Sequence, residues 1–261
     1  NTSLTYLNCE INLLPSLDIS NNLALTVLYC YNNQLTNLDV SQNTSLTYLN
    51  CEINLLPSLD VSQNLALTNL QCSYNQLTSL DVSNNLALIY LQCSSNQLTS
   101  LDVSNNTALT FLSCLDNQLT SLDVSQNTSL GALVCYYNQL STLNISQNPA
   151  LFAFDCSYNN LTSLDVSNGI NTNFAVFITV NNPNLYCIDV DDPVWASANW
   201  TYIDAQHFFS NNCSAFVLGC TDANATNYDA TATVDDGNCT YSACTKPVPT
   251  GLYIDNIIHV Q

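Results

Sequence analysis

Basic residues are nearly absent: the 261-residue chain has one, Lys246, against 20 Asp and Glu, for a formal net charge of -19. That balance repels phosphate backbones and anionic headgroups, so nucleic acid and membrane surfaces are poor partners. Long apolar runs are absent as well. No stretch approaches the roughly 18 to 20 uninterrupted apolar residues of a spanning helix, and the first residues carry neither a basic n-region nor an apolar h-region, so the chain reads as mature or trimmed. Residues 1–168 contain no Lys, Arg or His, which removes the usual general base, Schiff-base lysine and phosphate clamp. The two histidines, His207 and His259, fall in separate C-terminal segments, where a lone His is a surface or packed residue before it is a ligand. No P-loop, G-x-S-x-G or H-E-x-x-H motif occurs. Glu10 and Glu52 read as surface residues two strands apart. An enzyme is not expected.

What is present is a repeat. Apolar residues make up 47% of the chain, ample for a core, and eight of the 13 cysteines (Cys9, Cys30, Cys51, Cys72, Cys93, Cys114, Cys135 and Cys156) recur every 21 residues. Aligned on them, units begin at Asn1, Asn22, Asn43, Asn64, Asn85, Asn106, Asn127 and Asn148 with the pattern N-x-x-L-T-x-L-x-C-x-x-N-x-L-T-S-L-D-V-S-x. The stretch Leu67-x-x-Leu70-x-Cys72-x-x-Asn75-x-Leu77 closely resembles the leucine-rich-repeat signature, eight times over. The resemblance implies a mainly β solenoid with one parallel sheet, extended or turn structure on the opposite side, and small disulfide-bonded C-terminal modules. Alternation places Leu70 and Cys72 inward and Asn69, Gln71 and Ser73 outward. At about 4.8 Å per strand, eight units stack to roughly 38 Å.

Three further columns follow from the period. The twelfth-position asparagines (Asn12 through Asn159) are expected to satisfy backbone groups where the strand turns. Asp18, Asp39, Asp60, Asp81, Asp102, Asp123 and Asp165, with Asn144 in the seventh unit, either cap turn N–H groups or line up calcium sites; capping is the reading preferred. The cysteine column is expected to be free, inert thiols packed beside leucine.

The aromatic pattern carries the functional reading. Tyr6, Tyr29, Tyr31, Tyr48, Tyr74, Tyr90, Tyr136, Tyr137 and Tyr158, every tyrosine of the repeats, fall at positions expected on the outward sheet face, and Phe111 joins them. Tyrosine supplies rigid contact area with a polar tip, so these ten residues are the candidate ligand-binding set; cross-strand stacking that merely stabilises the sheet is the bland alternative. Threonines at the fifth and fifteenth positions resemble the ladders of ice-binding solenoids, with interruptions at Pro15, Pro57, Ile89, Gly131, Ser141 and Phe152.

Four segments are expected: eight repeats over 1–168, a cap over 169–218, an Asp- and Cys-rich module over 219–241, and a linker or start of a fibronectin type III-like segment over 242–261. Residues 169–218 resemble the C-terminal cap of secreted bacterial leucine-rich-repeat proteins, with Phe177, Leu185, Ile188, Val190, Trp195 and Trp200 covering the last apolar layer. Cys187 and Cys213 bracket the cap and are expected to be disulfide-bonded, as are Cys220 and Cys239 in the module, which points to an oxidising compartment and a secreted or cell-surface location. In the module, Asp222, Asn224, Asn227, Asp229, Asp235 and Asp236 offer oxygen ligands suited to calcium; an acidic solvated linker is the equal alternative. Cys244 is the odd thiol. Ten N-x-S/T sequons occur, close to the number this composition gives by chance.

The function these residues imply is a non-enzymatic extracellular adhesion or binding scaffold presenting a tyrosine-rich sheet face to protein or glycan. The alternative is a fibre subunit assembling head to tail, because the first unit matches the third at 19 of 20 positions and is not a diverged cap; an upstream continuation explains the same open end.

Overall fold

The computed structural model describes residues 1–235 and 237–242; Asp236, Cys244, Lys246, His259 and the fibronectin-like segment lie outside them. The chain divides into two compact units, 1–213 and 214–261.

In the first unit, successive coils of the chain stack so that three-residue strands pair in parallel. Among the described residues, nine form one sheet: Tyr6–Asn8, Val27–Tyr29, Tyr48–Asn50, Asn69–Gln71, Tyr90–Gln92, Phe111–Ser113, Ala132–Val134, Ala153–Asp155 and Val176–Ile178. The register is a strict column, with Leu7, Leu28, Leu49, Leu70, Leu91, Leu112, Leu133, Phe154 and Phe177 facing one another in turn. The 21-residue period fixes this, because a shift of one residue would turn the Leu and Cys columns out to water. From Leu25 and Leu28 onward, the leucines at the fourth, seventh and fourteenth positions, the cysteines and the nineteenth-position Val or Ile are buried in one continuous core.

Each turn is closed by a side chain the sequence repeats. Asn75 illustrates the twelfth position: Nδ2 donates to the carbonyls of Cys51, Cys72 and Ser73, and Oδ1 accepts from the Leu56 N–H of the preceding coil. One amide thus serves two coils and terminates two strands. Oδ1 of Asp18, Asp39, Asp60, Asp81, Asp102, Asp123, Asn144 and Asp165 accepts from the backbone N–H two residues on, the capping turn expected of that column. A further asparagine column went unread in the sequence. At the first position, Asn43, Asn64, Asn85, Asn106, Asn127 and Asn148 are fully buried, each donating Nδ2 to two carbonyls of the equivalent turn one layer earlier, as Asn85 does to Val61 and Asn64. The fifth-position threonines are also structural, since Oγ1 of Thr26, Thr47 and Thr68 donates to the carbonyl of the same position one coil earlier.

The stack continues past residue 168. Asn171, Phe174, Phe177, Asn182, Ile188 and Val190 occupy the repeat's apolar and asparagine positions, with Thr179 where cysteine stood and one extra residue before Leu185. Asn182 closes this coil as its predecessors do, donating to Cys156 and Thr179 and accepting from Leu161. Aromatic substitution for leucine had hidden the ninth coil. A second parallel sheet, Thr142–Asn144, Ser163–Asp165, Cys187–Asp189 and Phe208–Ser210, forms on the opposite side of these last coils, where turns alone were expected. The end of the apolar stack is covered by Trp200, stacked on Phe177 at 3.8 Å, with Trp195 edge-on to it. Trp195 is delivered by a short helix, Pro193–Asn199, which Asp192 caps by accepting from the N–H groups of Val194 and Trp195 and which Pro193 opens without a wasted donor. Cys187 and Cys213 are disulfide-bonded.

In the second unit, Leu218–Gly219 pairs in parallel with Val234–Asp235, and Cys220 is bonded to Cys239.

Candidate functional site

The ten aromatic residues occupy three settings. Tyr6, Tyr48, Tyr90 and Phe111 hold the first strand position and Tyr29 the third; Tyr31 and Tyr136 sit two residues beyond the third. Tyr74, Tyr137 and Tyr158 are not on strands. They occupy the next residue, where the chain enters the left-handed region in every coil from Ile11 to Asn181, with φ between 51° and 60°. This bend swings three tyrosines to the rim of the sheet, where they remain exposed (57%, 49% and 43%).

Rings meet across coils in three groups. Tyr29 lies between Tyr6 and Tyr48 at centroid distances of 5.8 and 4.8 Å. Tyr90 and Phe111 are stacked at 4.4 Å with planes 6° apart. Tyr137 stacks on Tyr158 at 4.2 Å and meets Tyr136 edge-on at 5.5 Å. Apart from Tyr136–Tyr137, which lies within one coil, these are cross-coil ring pairs of the kind that stabilise sheets.

Polar side chains on the face are already organised. Gln71 Nε2 donates to the Tyr48 hydroxyl at 2.7 Å, Asn50 Nδ2 donates to Gln71 Oε1, and the Tyr90 hydroxyl donates to Gln92. Burial, reinforced by Tyr29, pushes the Tyr48 hydroxyl up to about 12 against the opposing hydrogen bonds from Gln71 and Asn50. Ser73, expected to face outward into solvent, is buried, as are Ser94 and Ser113: Ser94 N–H donates to Ser73 Oγ, and the hydroxyls of Ser94 and Ser113 share a hydrogen bond. Short side chains between aromatic neighbours find partners in the next coil before they find water. Glu52 is likewise no plain surface residue. Its Oε1 is buried with no hydrogen-bond partner among the described residues, and burial raises its pKa although Ser73 and Asn50 pull the other way.

The cysteines of the eight repeats are free thiols, buried in all but the first. Burial pushes Cys51 and Cys114 up to about 12 and raises the others, so none is poised as a thiolate. His207 is a packed residue. Its Nδ1 accepts the Asp204 N–H and sits 3.3 Å from Thr179 Oγ1, which leaves the proton on Nε2, 3.4 Å from the Asn182 carbonyl. Burial lowers its pKa against the raising effects of that carbonyl and of Asp204.

The calcium reading of residues 219–241 is not supported: no group of three or more His, Cys, Asp or Glu side chains among the described residues could hold a metal. The oxygens close turns instead. Asp222 accepts from Asn224 and from the Tyr241 hydroxyl, Asp229 from Thr231, Asp235 from Gly237, and Asn227 from Thr240. Asp236 lies outside the described residues. Asp116, absent from the sequence-derived site, does reach the face: it holds the left-handed position of the sixth coil, beside Tyr136, whose carbonyl accepts its N–H. The signal available was its place in the column of Tyr74, Tyr137 and Tyr158.

No protein-family model matches the chain, and no curated protein matches it. Solved structures do. The functional domain of InlJ from Listeria monocytogenes, described as including a cysteine ladder, is 33% identical over 72% of this chain and 55% of its own, with a TM-score of 0.47. A leucine-rich-repeat protein of Leptospira interrogans is 24% identical over 78% of this chain and 54% of its own, with a TM-score of 0.60. Internalin C2 of Listeria monocytogenes is 22% identical over 68% of this chain and 80% of its own, also at 0.60. The chain thus spans about half the length of the first two. The fold is that of a leucine-rich-repeat solenoid.

Proposed function

We propose that this chain is a non-enzymatic binding scaffold working outside the cell, with the tyrosine-rich sheet face as the surface that takes a protein or glycan ligand. One observation carries the reading. Every tyrosine of the repeats lies on the sheet strands, just beyond them, or on the rim turn, and none is spent in the core or on the opposite side. Cross-coil stacking accounts for Tyr137 against Tyr158 but not for Tyr74, about half in water with no ring contact among the described residues, whereas recognition surfaces favour such rigid amphipathic area.

The two disulfides suit an oxidising compartment, and no helix among the described residues is long and apolar enough to cross a membrane. The absence of basic residues from 1–168 and the engaged, buried His207 leave the repeats without proton-transfer groups other than carboxylates and tyrosines, which favours recognition over catalysis. Adhesion, the finer role, rests on the same face. The experiment is a pull-down from the native environment and a glycan array, followed by Tyr74→Ser, Tyr90→Ser and Tyr137→Ser combined. The ligand found should bind roughly tenfold or more weakly to the variant, since aromatic anchors dominate such surfaces, while the variant stays folded with a thermal midpoint lowered by the loss of the Tyr90–Phe111 and Tyr137–Tyr158 stacks. Undiminished affinity refutes the reading.

A further inference from the structure

The charged side chains that accompany the aromatic rings on the face and its rim in coils one to eight are all carboxylates: Glu10, Glu52, Asp116 and Asp155. Nothing in residues 1–168 can pair with them, because that span has no Lys, Arg or His. Two are set against aromatic rings in one corner. Asp116 stands one coil before Tyr136, to whose carbonyl its N–H donates, and Asp155 ends the strand one coil after it, while Tyr136 meets Tyr137 edge-on and Tyr137 stacks on Tyr158. Asp155 is held in place by the Ser157 N–H and hydroxyl. Four coils before Tyr136, at the same position two residues beyond its strand, Glu52 keeps a buried oxygen with no hydrogen-bond partner among the described residues. Aromatic faces beside a carboxylate are what hold an ammonium or guanidinium group, the ring through its quadrupole and the carboxylate through charge-assisted hydrogen bonds.

We propose that the face is specific for a cationic segment of a partner polypeptide, seating one Lys or Arg at Glu52 and another in the Tyr136 corner between Asp116 and Asp155. This deepens the reading of the sheet face as a binding surface and rests on it. Charge complementarity selects the occupant. A half-buried carboxylate such as Glu52, with no cation in its span of the chain to neutralise it, is costly until one arrives, and the chain's net charge of -19 draws cationic partners in while repelling anionic ones. Coil spacing sets the geometry. Glu52 lies in the third coil and Tyr136 in the seventh, four strand spacings or about 19 Å apart, the reach of about six residues of extended chain. An even separation puts both basic side chains on the same side of an extended segment.

The test uses random dodecapeptides displayed against the immobilised full chain, with Glu52→Gln, Asp116→Asn and Asp155→Asn combined as the comparison. These substitutions keep the fold: Asn supplies the same Oδ1 to Ser157 and tolerates the left-handed backbone at 116. Selected peptides should be enriched in Lys and Arg about six residues apart, bind the triple variant roughly tenfold or more weakly, and weaken further as salt is raised from about 50 to about 500 mM. Selection without basic enrichment, or equal affinity for the triple variant, overturns the proposal. Peptides that need Tyr74, Tyr90 and Tyr137 but not the carboxylates remove this inference and leave the binding face standing. Peptides indifferent to both sets, or no selection at all, also overturn this proposal, while the binding face itself stands or falls by the pull-down and glycan array.

Discussion

At the scale of the residue, the left-handed position is where the repeat departs from local preference. Asn32, Asp116 and Asn181 tolerate a positive φ, but Ile11 and Ile53 hold φ of 53° and 52° with a branched Cβ that crowds the backbone there. Both side chains are exposed, so little packing offsets the strain. Ile53→Asn should therefore stabilise the chain by about 1 kcal/mol, read as a rise in urea midpoint at unchanged slope; a fall would mean the isoleucine makes contacts that outweigh its backbone cost. The thiols make a second prediction. Cys9 is half-exposed, while Cys30 through Cys156 are buried and their pKa values raised, chiefly by burial. Among the eight, brief treatment of the native chain with iodoacetamide should label Cys9 first and leave the rest until denaturant opens the stack, a pattern that peptide mass mapping resolves. Uniform labelling of the column in the native state would show that the coils open freely.

At the scale of the coil, the shared amide matters most. Asn75→Ala leaves the Leu56 N–H and the Cys51, Cys72 and Ser73 carbonyls without their common partner inside the core, so about 3 kcal/mol or more should be lost. Acid acts on two other elements. His207 is held neutral below its ordinary value of 6.5, so the unfolded chain takes up a proton that the folded coil refuses, and stability falls as pH drops below about 6.5. The capping aspartates are also shifted downward, but by hydrogen bonds to the charged form and not by burial. Hydrogen bonds from the serines two residues on hold Asp18, Asp39, Asp60, Asp81, Asp102 and Asp123 below the usual 3.8, a contribution present above that value and lost as pH falls through their lowered values. Thermal midpoints against pH should show both declines, and His207→Gln should remove the first alone. These elements also show what could be read from the chain. The Leu and Cys columns and the Asp turns were legible because the repeat reports each requirement eight times. The ninth coil was not, because Phe174, Phe177 and Thr179 meet the same geometric needs with different letters, and Ser73 and Glu52 find their partners in a neighbouring coil whose side chains periodicity does not weigh. On the candidate site, the tyrosine column was visible, whereas the bend that carries Tyr74, Tyr137 and Tyr158 off the strands was not.

At the scale of the molecule, each coil bonds only to its neighbours, and those bonds repeat. Excision of residues 64–84 joins the third coil to the fifth, letting Asn96 Oδ1 take the Leu56 N–H that Asn75 held. The shortened chain should fold with one fewer strand and a modest loss of thermal midpoint, by circular dichroism; collapse of the signal would mean that stability is not carried by nearest-neighbour contacts. Tension gives the Cys187–Cys213 bond a different meaning. Pulled from its ends, a stack held by identical interfaces peels from its plainer coils, each releasing 21 residues or about 70 Å of slack. The bond shields the segment it spans, a sequence separation of 26, from the load and ties the Trp200-covered coils together. A chain anchored at one end and gripped at the other would then lengthen in even steps, absorbing work at each, and stop at a covalent knot.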